Sequence, residues 1–219
     1  MRIAIAGAGN AGRAIARELI ANGHQVLLID KNPKALKMES VPNAEWLLAD
    51  ACEISSLDKA KLDICQVMVA ATGDDKVNLV ASLLAKTEYG VPRVVARVNH
   101  PKNEWLFDSS WGVDVAVSTP RIIAALVEEA VSVGDVVRLF SLKAGEANLV
   151  ELTLPDNSTC IGKSVAEINL PDDAALAAII RDGHVITPAG HDVFSAGDEL
   201  IFVASAKAEE SLKSCFVTN

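Results

Sequence analysis

Between Arg2 and Gly134, short apolar runs alternate with longer stretches in which apolar residues recur every three or four positions. The short runs predict strands at Arg2–Ala6, Gln25–Ile29, Trp46–Ala49, Gln66–Ala71, Arg93–Val98 and Val113–Val117. The longer stretches predict helices at Ala11–Ala21, Asn32–Met38, Glu53–Lys59, Asp75–Glu88 and Lys102–Ser109. Near-continuous apolar strands separated by helices require a parallel sheet covered on both faces. Right-handed crossovers then favour a doubly wound α/β fold of Rossmann type, with strand order 3-2-1-4-5-6.

Thr119-Pro120 opens one more helix, with Thr119 as N-cap and Pro120 at the first helical position. Ile122, Leu126, Val127, Ala130 and Val131 recur at helical spacing, and Gly134 suits a C-terminal stop. The rhythm then changes. Val136–Leu142 and Leu149–Leu154 predict strands, with Ala144-Gly145-Glu146 as turn material. Ala175–Ile180 and Val185–Ile186 flank Arg181-Asp182-Gly183-His184, and Asp-Gly between strands marks a hairpin. Ala196-Gly197-Asp198 turns into a strand at Glu199–Ala204, and Lys207–Cys215 closes as a helix. The expected division is a nucleotide-binding domain over residues 1–118, a linking helix over 119–135 and a small α+β domain over 136–219.

A chain of 219 residues with a 50% hydrophobic content can bury a proper core without disulfides or metals. Its net charge of −9 argues against a nucleic-acid partner, which needs clustered Lys and Arg, and against adsorption to anionic lipid. No apolar run approaches the roughly 20 residues that span a bilayer. Cys52, Cys65, Cys160 and Cys215 are far apart and form no CxxC pair, which fits reduced thiols and a cytoplasmic location.

The candidate chemistry lies at the first strand–helix junction. Gly7-Ala8-Gly9-Asn10-Ala11-Gly12 follows a predicted strand and opens a predicted helix. Its glycines serve a tight turn, room for a pyrophosphate against bare backbone, and close helix–sheet packing. Free N–H groups and the positive end of the helix supply an anion site. The second strand ends in Ile29-Asp30, placing a carboxylate about 20 residues downstream for the adenosine ribose. That carboxylate would repel a 2′-phosphate, so NAD is expected rather than NADP, with Lys31 next to it as a counter-argument. Ligands of open α/β sheets bind at the carboxyl ends of strands. Those ends are Asp50-Ala51-Cys52, Thr72-Gly73-Asp74 and Arg97-Val98-Asn99. Asp50 and Cys52 are candidates to flank adenine, Thr72-Gly73 offers backbone to ribose and phosphate, and Arg97 is the candidate phosphate cation. A surface salt bridge is the competing role for Arg97, and a helix N-cap is the competing role for Asp50.

Hydride transfer needs a proton donor or acceptor beside the nicotinamide. The one tyrosine, Tyr89, has no lysine four residues later, and His24, His100, His184 and His191 are scattered through predicted turns. Neither an HExxH motif nor a nucleophile elbow is present. This tilts the reading from an enzyme to a ligand sensor, with an NAD-dependent oxidoreductase of a small substrate as the alternative.

Several of these runs together carry a resemblance. They are Gly7-Ala8-Gly9, Leu28-Ile29-Asp30, Leu48-Ala49-Asp50-Ala51, Val69-Ala70-Ala71-Thr72-Gly73-Asp74-Asp75, Asn78 and Ala96-Arg97-Val98-Asn99. They resemble the N-terminal domain of the RCK (regulator of potassium conductance) family, in particular the cytosolic regulatory proteins of Trk- and Ktr-type potassium uptake systems. Ile161-Gly162-Lys163-Ser164-Val165, Ile179-Ile180-Arg181-Asp182-Gly183 and Ala196-Gly197-Asp198-Glu199-Leu200 are similar to the RCK C-terminal domain. The resemblance implies dimers assembled into a ring beneath a membrane-embedded potassium-translocating subunit, gated by NAD, NADH, ATP or ADP. It places the nucleotide on Gly7, Gly9, Asn10, Gly12, Asp30, Asp50, Thr72 and Arg97, with Cys52 after them; Ala8, Ala11, Lys31, Ala51 and Gly73 complete the candidate set by their place in the loop and at the strand ends. Asn10 stands where Ktr-type relatives tend to carry an arginine that meets the terminal phosphate of ATP. That departure favours a dinucleotide, with Arg13 following the last glycine. The resemblance also makes Thr119–Gly134 the crossover helix to the dimer mate, against ordinary packing on its own sheet. Trp105, Phe107 and Trp111 just upstream fit either an interface or a core.

Overall fold

The computed structural model describes residues 1–131, 133–142 and 147–216. The chain divides into two compact units, Met1–Pro120 and Arg121–Asn219.

The first unit contains β1 (Arg2–Ala6), α1 (Asn10–Ala21), β2 (Gln25–Asp30), β3 (Glu45–Leu48), α2 (Ile54–Lys59), β4 (Val67–Ala70), α3 (Asp75–Thr87), β5 (Arg93–Val98) and β6 (Val115–Ser118). Its strands form one parallel sheet in the order β3-β2-β1-β4-β5-β6, as the run of elements predicted. Strand alternation divides the apolar residues between the two faces. Ala4, Ala6, Leu27 and Ile29 pack with Leu57 of α2 and with Leu79, Ala81 and Ala85 of α3. Ile3, Ile5, Val26 and Leu28 pack on the other face with Ala16 of α1. Both faces are covered, and because all six strands run parallel their carboxyl ends lie together at one end of the sheet, where ligands of open α/β sheets bind.

Two segments depart from expectation. Residues 32–38, predicted helical, form 3-10 turns at Pro33–Ala35 and Met38–Ser40, and the stretch 102–109 becomes 3-10 turns at Pro101–Leu106 and Ser109–Trp111. Segments this short do not offset the cost of nucleating an α-helix, and local caps stabilise the tighter turn. Asn32 accepts from the Lys34 N–H at 3.0 Å, and Asp108 accepts from Ser110 at 2.9 Å. Of the three aromatics here, Phe107 is buried, Trp111 is partly buried against the same core, and Trp105 is 75% exposed.

A single helix, α4 (Thr119–Val131), runs across the division. The second unit then holds β7 (Val136–Leu142), β8 (Ala147–Thr153), β9 (Ala174–Arg181), β10 (His184–Ile186), β11 (Glu199–Ala204) and α5 (Ala206–Phe216). The predicted turn at Ala144-Gly145-Glu146 lies outside the described residues. The strands form an antiparallel sheet in the order β10-β9-β11-β8-β7. The β9–β10 hairpin closes through Asp182 and Gly183, whose φ angles of +50° and +74° fit the mirror-image turn that Asp-Gly favours. α5 covers one sheet face, with Phe216 meeting Phe194 and Phe202 at ring-centroid distances of 5.7 and 5.5 Å. Asp198 is fully buried and takes a two-pronged bond from Arg181, Nε to Oδ1 at 2.7 Å and Nη2 to Oδ2 at 2.8 Å. Hydrogen bonding to Asp198 raises the Arg181 pKa above the usual guanidinium value. The pair fastens the end of β9 to the turn before β11.

Candidate functional site

The carboxyl ends of β1, β2, β4 and β5 border a cleft of about 580 Å³, within the usual range for small-molecule sites. Its floor is the glycine loop. Gly7 has φ +104°, and a Cβ there would lie 2.9 Å from Ala71 O and Thr72 N. Only glycine relieves both constraints. Gly12 packs more tightly still, since a Cβ would come within 1.8 Å of Gly7 O. Gly9 differs: it has extended φ and ψ of −67° and −171°, and a Cβ would meet nothing within 4 Å. The backbone there faces open cleft, the room a phosphate needs beside the first turn of α1.

The side wall beyond β2 is Asp30. Its Oδ2 accepts from the Ala8 N–H at 2.8 Å and its Oδ1 from the Asn32 N–H at 2.9 Å. These bonds hold the carboxylate at the cleft margin while leaving lone pairs for hydroxyl donors. Beyond it, Lys31 Nζ lies 3.3 Å from Asp50 Oδ2. The Cys52 N–H, bonded to Asp50 Oδ1 at 2.9 Å, and Lys31 together lower the Asp50 pKa against the opposing effect of burial. Asp50 therefore closes its own local turn. The N-cap of α2 is Glu53, so the capping role considered for Asp50 is not the one it takes.

The opposite wall comes from β4 and β5. Asn78 of α3 is completely buried and clamps the two strand ends together. Its Oδ1 accepts from the Thr72 N–H at 2.9 Å and from Thr72 Oγ1 at 2.6 Å, and its Nδ2 donates to Arg97 O at 2.8 Å. Asp75, in the first turn of α3, accepts from the N–H groups of Asn99 and His100 and the side-chain amide of Asn103. Burial opposes its ionisation, yet these donors outweigh that and hold its carboxyl below the usual carboxylate range. Arg97 lines the cleft, forms no ion pair among the described residues, and has a buried Nε without a hydrogen-bond partner. The surface salt bridge weighed for it is not formed among the described residues.

Of the sequence-derived candidates, Gly7, Gly9, Asn10, Ala11, Asp30, Lys31, Asp50, Ala51, Thr72, Gly73 and Arg97 line this one cleft. Ala8, Gly12 and Cys52 do not: Ala8 and Gly12 are buried in the loop's packing. Cys52 turns its sulfur to Val77 O at 3.8 Å, and burial followed by the charge of Asp50 pushes its thiol up to about 11. Ile29, Ala49, Ala71, Asp74 and Val77 complete the lining. Apolar strand-end residues of this kind are indistinguishable from core in the sequence. Asn78 entered the sequence reading through the family resemblance alone. A polar residue on the apolar stripe of α3, beside Leu79, was the signal that singles it out. Tyr89 lies elsewhere, bonded to Asp58 Oδ1 at 2.7 Å, with burial and then Asp58 pushing its hydroxyl up to about 12.

A glycine cradle, a carboxylate on one wall and a guanidinium on the other, at the switch point of a 3-2-1-4-5-6 sheet, define a Rossmann-type nucleotide-site protein carrying a second α+β unit. Residues 3–119 match the TrkA-N domain and residues 149–216 match the TrkA-C domain. The Trk system potassium uptake protein TrkA of Mycobacterium tuberculosis is 58% identical over 212 residues, covering 97% of this chain and 96% of that protein. The chain belongs to the TrkA family of Trk-system potassium uptake regulatory proteins, with the RCK architecture expected from its sequence. A homologue from Archaeoglobus fulgidus is 30% identical over 219 residues, covering 99% of this chain and 50% of that protein. The solved structure of the GsuK channel bound to NAD shares the fold at a TM-score of 0.66 with 17% identity, covering 100% of this chain and 40% of that one. The curated relatives bear potassium-uptake names, and the oxidoreductase alternative draws no support from them. Among the described residues, no helix is long and apolar enough to cross a membrane.

Proposed function

We propose that this chain is a nucleotide-responsive subunit, without enzymatic turnover, that gates a membrane-embedded potassium transporter from the cytoplasmic side. The observation carrying the ligand assignment is the pairing across one cleft of Asp30 and Arg97, whose Nε has no hydrogen-bond partner among the described residues, with bare loop backbone between them. That arrangement suits a ribose hydroxyl pair at Asp30 and phosphate oxygens at the loop and Arg97. NAD or NADH is the primary ligand, and ADP or ATP are competing occupants that share its adenosine half. The NAD named in the GsuK structure is in keeping with this choice. Residues 1–118 serve as the sensor, 119–135 as the link and 136–219 as a dimerisation or second-effector domain. Gating requires the ligand to favour one of two states by about 1–3 kcal/mol, since equal affinity for both would move nothing.

Calorimetric titration of the purified protein with NAD, NADH, ADP and ATP tests the ligand assignment. Asp30→Ala is expected to weaken NADH and ADP together by about ten- to a hundredfold, the loss of one or two hydrogen bonds to a charged acceptor. Unchanged NADH affinity in a variant that melts like the wild type would overturn the ribose assignment.

The subunit acts as a homodimer, and in a ring of dimers, through α4. Ile123, Leu126, Val127 and Val131 are exposed at helical spacing, an apolar stripe costly to leave in water. Leu126→Glu is expected to convert the dimer to a monomer in sedimentation analysis. A monomeric wild type, or a dimer indifferent to the substitution, would count against this role.

A further inference from the structure

Arg13 is a charged residue in the first turn of α1, yet it is only 8% exposed. Its guanidinium is folded back onto the loop that precedes it. Nη1 donates to Ala8 O and, at 3.3 Å, to Ala35 O, while Nη2 donates to Asn10 Oδ1 at 2.7 Å. Three of its five N–H groups are thus held by neutral oxygens, and among the described residues no carboxylate forms an ion pair with it. A buried guanidinium without an anion is costly, and the N-terminal turn of a helix is the less favourable end for a cation. Attraction to an anion in the adjoining loop would offset both penalties.

The bond to Asn10 adds a second effect. An arginine can only donate, so the oxygen of the Asn10 carboxamide must face Arg13. The amide Nδ2 is thereby turned the other way, on a residue that is exposed and lines the cleft. The loop's one polar side chain is presented as a donor, the polarity a phosphate oxygen requires.

We propose that Arg13 is the built-in counter-charge of the phosphate site, a positioning residue that never enters the cleft. It fixes Asn10 as a donor and makes the loop select phosphorylated adenosine ligands over adenosine. This rests on the nucleotide reading of the cleft and adds to it the origin of phosphate selectivity.

The measurement is the ratio of ADP to adenosine affinity in the full chain, ADP by calorimetry and adenosine by ligand-observed NMR. Arg13→Gln is expected to weaken ADP by about ten- to a hundredfold while adenosine changes by no more than about twofold. Arg13→Lys keeps the charge and is expected to retain most of the ADP preference, even if its lost carbonyl bonds weaken both ligands. A merely structural arginine predicts the reverse: both variants lose ADP and adenosine in equal proportion. That result, or an unchanged ratio in Arg13→Gln, overturns the proposal. Should Arg13→Gln not fold, Arg13→Lys decides alone. The proposal stands if the ratio is kept in Arg13→Lys and falls if it drops by about tenfold or more. A wild-type protein that binds neither ligand would instead refute the nucleotide reading itself.

Discussion

Gly12→Val is expected to abolish nucleotide binding and to destabilise the first unit. The first added carbon would sit 1.8 Å from the carbonyl oxygen of Gly7, and neither partner is a side chain that can swing away. Restoring ordinary contact requires about 1.5 Å or more of displacement between α1 and the end of β1. The loop N–H groups then no longer converge on one anion, and Arg13, carried on the same turn, leaves its bonds to Ala8 and Ala35. We expect at least a hundredfold loss of NADH and ADP affinity, about 3 kcal/mol, together with a lowered melting temperature. Gly9→Ala provides the contrast, because its Cβ meets only open cleft. It should melt like the wild type and affect ligand affinity alone. Equal melting temperatures for Gly12→Val and wild type would show that the helix is not seated on the loop as described.

Arg181→Ala is expected to cost the second unit about 3–5 kcal/mol, because Asp198 would be left fully buried without its cation. Asp198 would retain the N–H of Ser195 at 2.8 Å, a single donor for two oxygens that share three bonds in the intact pair. Denaturant unfolding of the full chain should show this as an early transition assignable to the antiparallel sheet, with nucleotide affinity of the first unit preserved. Arg181→Lys keeps the charge on a compact ammonium but loses the planar fork that meets both Asp198 oxygens, and should fall between the two. If Arg181→Ala unfolds with the wild-type midpoint, the buried pair contributes nothing to holding β9 against the start of β11.

These expectations draw on two kinds of information. The alternation along Ile3, Ala4, Ile5 and Ala6 divides one strand between two covered faces, and the same division recurs in Val26, Leu27, Leu28 and Ile29. A period of two with no polar face, repeated between helices, admits few arrangements other than a doubly wound parallel sheet. The glycine loop and Asp30 were equally readable, because each acts through its own backbone conformation and its place at a strand end. The hairpin at Asp182-Gly183 was readable for the same local reason. Where local preference was weak, as in residues 32–38 and 102–109, tighter turns replaced the expected helices.

Arg13 shows the other kind. One turn into an amphipathic helix, an arginine reads as a solvated charge. It is buried because Ala8 and Ala35, on separate segments, bring carbonyl oxygens to the same point. Asn78 likewise joins Thr72 to Arg97, and Asp198 meets Arg181 across 17 positions of chain. Periodicity and turn chemistry are properties of neighbouring residues, so the amino-acid order alone establishes the strands, their two faces, the phosphate loop and the acid that follows it. Which polar groups are taken out of water, and what meets them there, depends on distances between segments far apart in the chain. Those distances exist only once the sheet has closed, and they buried Arg13, left Arg97 beside the cleft with no ion pair among the described residues, and kept Cys52 out of the lining.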